Sequence, residues 1–189
     1  MISPNRRALA ASLLAIAVVL WHPVQAQSPA EQIASIQKKL TSFLRTTQVT
    51  PDGTDLVPPA GSVLVLQKGE IVLVKPVTGG MKMILSKSGY AKGKISPLGA
   101  TVMDRFMACK GAQDCSRTAF RVFQAGEKFF LTNIGTYADG VTFTFMSDVF
   151  GDSRFAGQLV FPFPKGGPIP SADDVIAQIV EVLKLDDGQ

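Results

Sequence analysis

Histidine, tryptophan and cysteine are scarce in this chain: one, one and two among 189 residues. The histidine, His22, and the tryptophan, Trp21, both fall in an N-terminal stretch that reads as an export signal. A chain trimmed after Ala26 keeps no imidazole. That excludes Ser-His-Asp and Cys-His catalysis and His-ligated zinc or copper. Carboxylate pairs and Ser/Lys arrangements need no imidazole, so a His-independent extracytoplasmic hydrolase stays open. Two cysteines exclude a disulfide-dense miniprotein and a cysteine-rich zinc module. Charged residues make up 18% against 46% hydrophobic, which excludes a disordered chain. The 17 glycines and 12 prolines follow no period, which excludes a collagen-like protein.

The export signal has three parts. Arg6 and Arg7 give a positive start, Ala8 to Leu20 an uncharged apolar run, and Val24-Gln25-Ala26 small residues at −3 and −1. Thirteen residues rise about 20 Å as a helix, short of the roughly 30 Å a bilayer core requires. Residues 1–26 are therefore expected to be cleaved, with no membrane-spanning segment in the mature chain and a periplasmic or secreted destination. Losing Arg6 and Arg7 takes Lys+Arg from 19 to 17 against 15 acids, so net charge falls from +4 to +2. The full-length pI thus overstates the basicity of the working protein, and no nucleic-acid partner is expected.

One β-rich domain is expected over residues 27–189. Ser28-Pro29-Ala30-Glu31 is a capping box with proline at the first helical position. Ile36, Leu40, Phe43 and Leu44 follow at helical spacing and predict a helix over about 29–46. Val63–Gln67 and Ile71–Val74 flank Lys68-Gly69-Glu70 and read as a hairpin. Met81–Leu85 reads as a further strand, and Ser96-Pro97-Leu98 as the start of a helix. Val141-Thr142-Phe143-Thr144-Phe145 alternates apolar and polar, as a half-buried strand does. Leu159, Phe161 and Phe163 repeat the pattern, and Pro162 predicts an edge position for that strand. Ser171 with Asp173 and Asp174 opens a second helix, expected over about 172–185. The fold class expected is mainly β within α+β: a small antiparallel barrel or sandwich with a helix at each end. By analogy of short strands and Gly turns, an SH3-like barrel is the preferred architecture.

Few motifs carry chemistry. Ser35-Ile36-Gln37-Lys38 and Lys87-Ser88-Gly89 match fragments of penicillin-recognising enzymes, but the chain lacks the length and the S-x-N element those need. Gly89-Tyr90-Ala91-Lys92-Gly93-Lys94 has three residues between its glycines, not the four of a P-loop. It reads instead as a mobile basic loop, an anion-binding candidate formed by Lys82, Lys87, Tyr90, Lys92 and Lys94. Asp139, Asp148 and Asp152 read as turn residues rather than a calcium loop. Charge is divided along the chain. Residues 62–130 carry eleven Lys/Arg against four acids, and residues 131–189 three against eight. Unless the halves interleave in space, the molecule is a dipole.

The expected function is binding: an exported module that contacts an anionic envelope component or a protein partner, with no cofactor and no metal. Beside the hydrolase stands a second alternative, a carrier of a small apolar ligand, suggested by twelve phenylalanines. Cys109 and Cys115 enclose five residues and are expected to pair after export. Protein recovered from the extracytoplasmic fraction should begin at Gln27 by intact mass. Labelled when denatured and unreduced, it should show no free thiol. A mass that includes residues 1–26, or two labelled cysteines, would contradict these expectations.

Overall fold

A computed structural model of the chain describes residues 27–76, 85–98 and 120–186. The expected export signal, Lys82, most of the strand expected over Met81–Leu85, and Cys109 and Cys115 with their expected pairing lie outside the described residues.

The first helix, α1 (Pro29–Phe43), forms where its capping box places it. The Ser28 Oγ accepts from the Glu31 amide at 3.3 Å, and Glu31 Oε2 accepts from the Ser28 amide at 2.8 Å. The helix ends three residues earlier than its apolar spacing predicts. Leu44 turns extended, and the chain runs on beside the sheet, where the Thr47 amide donates to the Leu131 carbonyl at 2.6 Å. Ile36 and Leu40 are buried, but Phe43, expected in the core, is 44% exposed at the last turn. Next comes a two-stranded ribbon, β1 (Gln48–Val49) and β2 (Leu56–Val57), folded around the Pro51-Asp52-Gly53 turn.

The main sheet is a curled half-barrel. Its strands are β3 (Val63–Leu66), β4 (Glu70–Val74), β5 (Ser86–Ala91), β6 (Lys94–Leu98), β7 (Phe120–Gln124), β8 (Lys128–Tyr137), β9 (Gly140–Ser147), β10 (Ala156–Pro162) and β11 (Leu183–Leu185). The helix α2 (Ala172–Val182) precedes β11. The order is β11-β3-β8-β9-β10-β4-β7, with β5 also on β10 and β6 on β5. The class is β-rich α+β with a helix near each end, as the sequence predicts.

Three pairings differ from expectation. β3 and β4 are not a hairpin with each other. β3 pairs with β8, from Val63↔Phe130 to Val65↔Lys128, and β4 pairs with β7, from Glu70↔Gln124 to Val74↔Phe120. These are two halves of one bent ribbon. At the bend, Gly69 (φ +83°) and Gly126 (φ +93°) take left-handed conformations that other residues resist. Leu66 and Gly126 stay tied across it, with the Gly126 amide donating to the Leu66 carbonyl at 2.7 Å. The glycines therefore turn a corner in the ribbon, as bent strands do where a sheet curls on itself. Second, β10 is no edge strand. It lies between β9 on one side and β5 with the end of β4 on the other. Pro162 is tolerated because it is the last residue of β10, and β5 pairs only as far as Val160. Third, Ser96-Pro97-Leu98 is strand, not helix, and Pro97 sits in β6, which pairs with β5 alone. The sheet is antiparallel apart from the β5–β10 pair, which is parallel.

The core lies between the curled sheet and the two helices. Ile36 and Leu40 of α1 and Val175, Ile179 and Val182 of α2 pack on the inward side chains of β8, β9 and β10. Phe123, Phe129, Phe143, Phe145 and Phe161 are fully buried. Most contact edge to face or tilted, with Phe123 on Phe129 at 5.3 Å, Phe129 on Phe145 at 5.6 Å and Phe143 on Phe161 at 5.8 Å, while Phe143 and Phe145 stack at 6.1 Å. Each such ring contributes roughly 1.5–3 kcal/mol by leaving water. The last residues of the expected C-terminal helix become β11 instead, with Leu183 opposite Leu66 on β3.

Among the described residues, three ion pairs join the two oppositely charged segments. Lys68 meets Glu181 at 3.5 Å, Lys75 meets Asp152 at 3.8 Å, and Lys128 meets Asp186 at 2.6 Å. Each pair joins the cationic segment to the acidic one.

Leu40 and Leu183 are 0% and 2% exposed. Replacing either by alanine should cost about 2–5 kcal/mol, read as a drop in thermal midpoint. Unchanged midpoints for both variants would show that α1 and β11 do not belong to the core.

Candidate functional site

The basic segment is a hairpin, and that changes its reading. β5 and β6 pair in register from Lys87↔Leu98 to Ala91↔Lys94. The two residues between them, Lys92 (φ 52°) and Gly93 (φ 78°), are both left-handed. That is the geometry a two-residue turn needs to match the twist of its strands. Asparagine or aspartate usually takes the first position, so a lysine there is unusual. Among the described residues Lys92 is the one non-glycine with positive φ.

Strand alternation then divides the candidate residues. Lys87 is exposed on the outward face of β5, and its register partner Leu98 covers Gly89 there. Lys94, paired with Ala91 beside the turn, is exposed at the margin where the outward face meets a cleft beside the hairpin, and Lys92 stands exposed at the tip. Tyr90 points the other way. Its ring is 5% exposed and packs on Phe161 at 5.7 Å. The expectation that Tyr90 joins the lysines on a mobile loop is therefore corrected. Tyr90 anchors the hairpin to the core: it stands three positions from Lys87 on β5, an odd spacing that puts the two side chains on opposite faces.

The Tyr90 hydroxyl donates to Glu181 Oε2 on α2. Lys68, at the corner between β3 and β4, meets Glu181 Oε1 at 3.5 Å, and its ammonium lies 5.4 Å from the Tyr90 ring centre. Corner, hairpin and helix are thus joined at one point. Hydrogen bonding from Tyr90, then the Lys68 charge, hold the Glu181 carboxyl below its ordinary range. Lys68 is held above its own, by the Tyr90 side chain first and by Glu181. A shallow cleft of about 340 Å³ opens beside this trio. Val72, Ile95 and Pro97 line it, with Lys68, Lys94 and Glu70. Lys68 and Glu181 were not singled out in the sequence. More than a hundred residues separate them, and a lone turn lysine and a lone helix glutamate carry no local signal.

A second depression of about 340 Å³ lies where the 148–155 loop meets β1–β2. Here Arg154 meets Asp55 at 2.6 Å, Asp148 at 3.4 Å and the Ser147 carbonyl at 3.0 Å. Asp152 accepts from the Ser153 hydroxyl at 2.7 Å. Asp148 and Asp152 thus serve loop and turn geometry, with their charge met by Arg154 and Lys75. Among the described residues no three Asp, Glu, His or Cys gather as a metal-ligand set, and no helix is long and apolar enough to cross a membrane.

The Glu181 contacts have a pH signature. A carboxyl whose folded pKa is depressed stabilises the fold above its unfolded value and loses that contribution as pH falls through the folded one. The loss begins below the ordinary glutamate value of 4.5. Glu181→Gln should therefore lower the thermal midpoint at pH 7, and the difference from wild type should shrink at pH 3. Equal differences at the two pH values would contradict the ionic role.

Compared with protein-family models, with curated proteins and with solved structures, the chain matches none.

Proposed function

We propose that the chain is an exported binding module, not an enzyme, and that its contact surface is the β5–β6 hairpin with the cleft beside it. Its ligand is an anionic envelope component, whose phosphate or carboxylate groups the hairpin lysines meet. The observation that carries this reading is the state of those lysines. Six other cations of the described residues, Lys39, Lys68, Lys75, Arg121, Lys128 and Arg154, meet an acid within 4.0 Å. Lys87, Lys92 and Lys94 are exposed on one hairpin, Lys92 and Lys94 at its tip and Lys87 at its far end, and take part in none of these ion pairs. Lys38, Arg45, Lys165 and Lys184 are also outside them, but lie on four separate segments. No acid lies between Met81 and Thr101. Exposed charges of one sign along a hairpin attract the opposite sign, each over about 10 Å at 0.1 M salt.

Two further observations support binding over the alternatives. The phenylalanines suggesting an apolar carrier pack on one another at 5.3–5.8 Å and fill the space such a ligand needs. The acids around Arg154 are engaged with that cation and with loop groups, which leaves them poorly placed for acid–base work. Lys92 in a left-handed conformation also fits a contact role, since strain of this kind gathers at functional positions.

Replacing Lys82, Lys87, Lys92 and Lys94 by glutamine should abolish retention on anionic vesicles and anionic polysaccharide at low salt. Wild-type retention should fall as salt rises. Equal retention of both proteins at low salt would remove the hairpin from the binding surface, and turnover of any substrate by the purified protein would remove the non-catalytic reading.

A further inference from the structure

We infer that the cleft beside the hairpin is a carboxylate receptor, and that the protein's own Glu181 holds its donors while it is empty. The inference rests on the binding reading above and names the ligand chemistry of one part of that surface: a single carboxylate on a short apolar body.

Two side chains that line the cleft, Lys68 and Tyr90, reach the same carboxylate from different elements. The Tyr90 hydroxyl donates to one oxygen of Glu181 and the Lys68 ammonium meets the other at 3.5 Å. The pair is thus set to hold both oxygens of one carboxylate, and Glu181 displays the geometry a ligand would adopt. Charge-assisted hydrogen bonds of this kind are the strong ones. Tyr90 is fixed by its packing on Phe161, so its hydroxyl is a positioned donor.

Glu181 is free to yield. Its side chain is 55% exposed, and it follows Val180, itself 56% exposed on the solvent side of α2. A rotamer change carries its carboxylate into water without moving the helix. The side chains that keep α2 in place, Val175, Ile179 and Val182, take no part in this.

Charge complementarity sets the ligand's valence. With Glu181 displaced, the cleft presents Lys68 and Lys94 against Glu70. One net positive charge suits a monoanion better than a phosphate dianion. Val72, Ile95 and Pro97 supply an apolar wall, with Ile95 packed over Gly69, and the missing side chain of Gly93 leaves backbone open at its rim. A volume of about 340 Å³ is at the small end of ligand sites, which suits a short aliphatic chain.

Octanoate is the probe, with 1-octanol as the same chain without the charge, each titrated into the whole protein and followed by backbone amide shifts. Octanoate should move the amides of 68–72 and 90–97, and octanol should bind more weakly. Glu181→Ala removes the internal competitor at a solvent-facing helix position. It should tighten octanoate by about tenfold, the scale of one charge-assisted hydrogen bond. Tyr90→Phe and Lys68→Gln should weaken it. An unchanged or weaker affinity in Glu181→Ala, octanol binding as tightly as octanoate, or no octanoate binding to either protein would overturn the inference. Vesicle retention that depends on the hairpin lysines, combined with no octanoate binding, would remove the carboxylate site and leave the hairpin surface standing.

Discussion

Val141, Phe143 and Phe145 of β9 and Leu159 and Phe161 of β10 present one apolar face that has to be shielded from water. A flat sheet would leave it open. Here the sheet curls over it, and the two helices close the remaining side. Curling requires the ribbon of β3–β4 and β7–β8 to bend sharply, which places a glycine on each strand at the corner. The same bend carries Lys68 outward to the point where α2 and the hairpin meet. Burial of the phenylalanine face thus also places the candidate site.

The helix positions follow from the same requirement. α1 and α2 are amphipathic, and each lays its apolar side on the open side of the curl. Thr136 of β8 donates to the Gln37 amide oxygen at 2.6 Å, which ties α1 to the sheet, and Lys39 pairs with Asp173, which joins α1 to α2 at the margin. Exposed pairs of this kind add little energy and chiefly set orientation. α2 has a second consequence. Because it continues directly into β11 beside β3, its last turn is brought next to the β3–β4 corner, and Glu181 reaches Lys68.

Local chemistry was legible in the sequence, and long-range pairing was not. The Ser28–Glu31 capping box and the Ser171 cap are each written in a few neighbouring residues, and the structure reproduces them; the strand expected over 141–145 is there too, but it is buried on both faces, Thr144 included, where alternation predicts one. Gly69 was legible as a turn signal but not as a corner, because a hairpin turn and a bend in a ribbon ask the same φ of glycine. Pro162 argued for an edge from composition alone, whereas its place at the strand's end is decided by where β5 stops. The basic hairpin was legible as charge. The inward turn of Tyr90 was not, since the face a strand residue takes depends on a register set by the turn at Lys92-Gly93. The trio of Lys68, Tyr90 and Glu181 joins three distant segments and had no local signature at all.

The central claim is that one surface, made of the hairpin, the β3–β4 corner and the end of α2, meets an anionic ligand. Backbone amide shifts of residues 27–189, titrated with vesicles or soluble fragments of an anionic polymer, test it most directly. Perturbation confined to residues 68–72, 86–98 and the neighbourhood of Glu181 is the expected result. Perturbation centred on the 148–155 loop, or spread evenly over the exposed lysines, would contradict it.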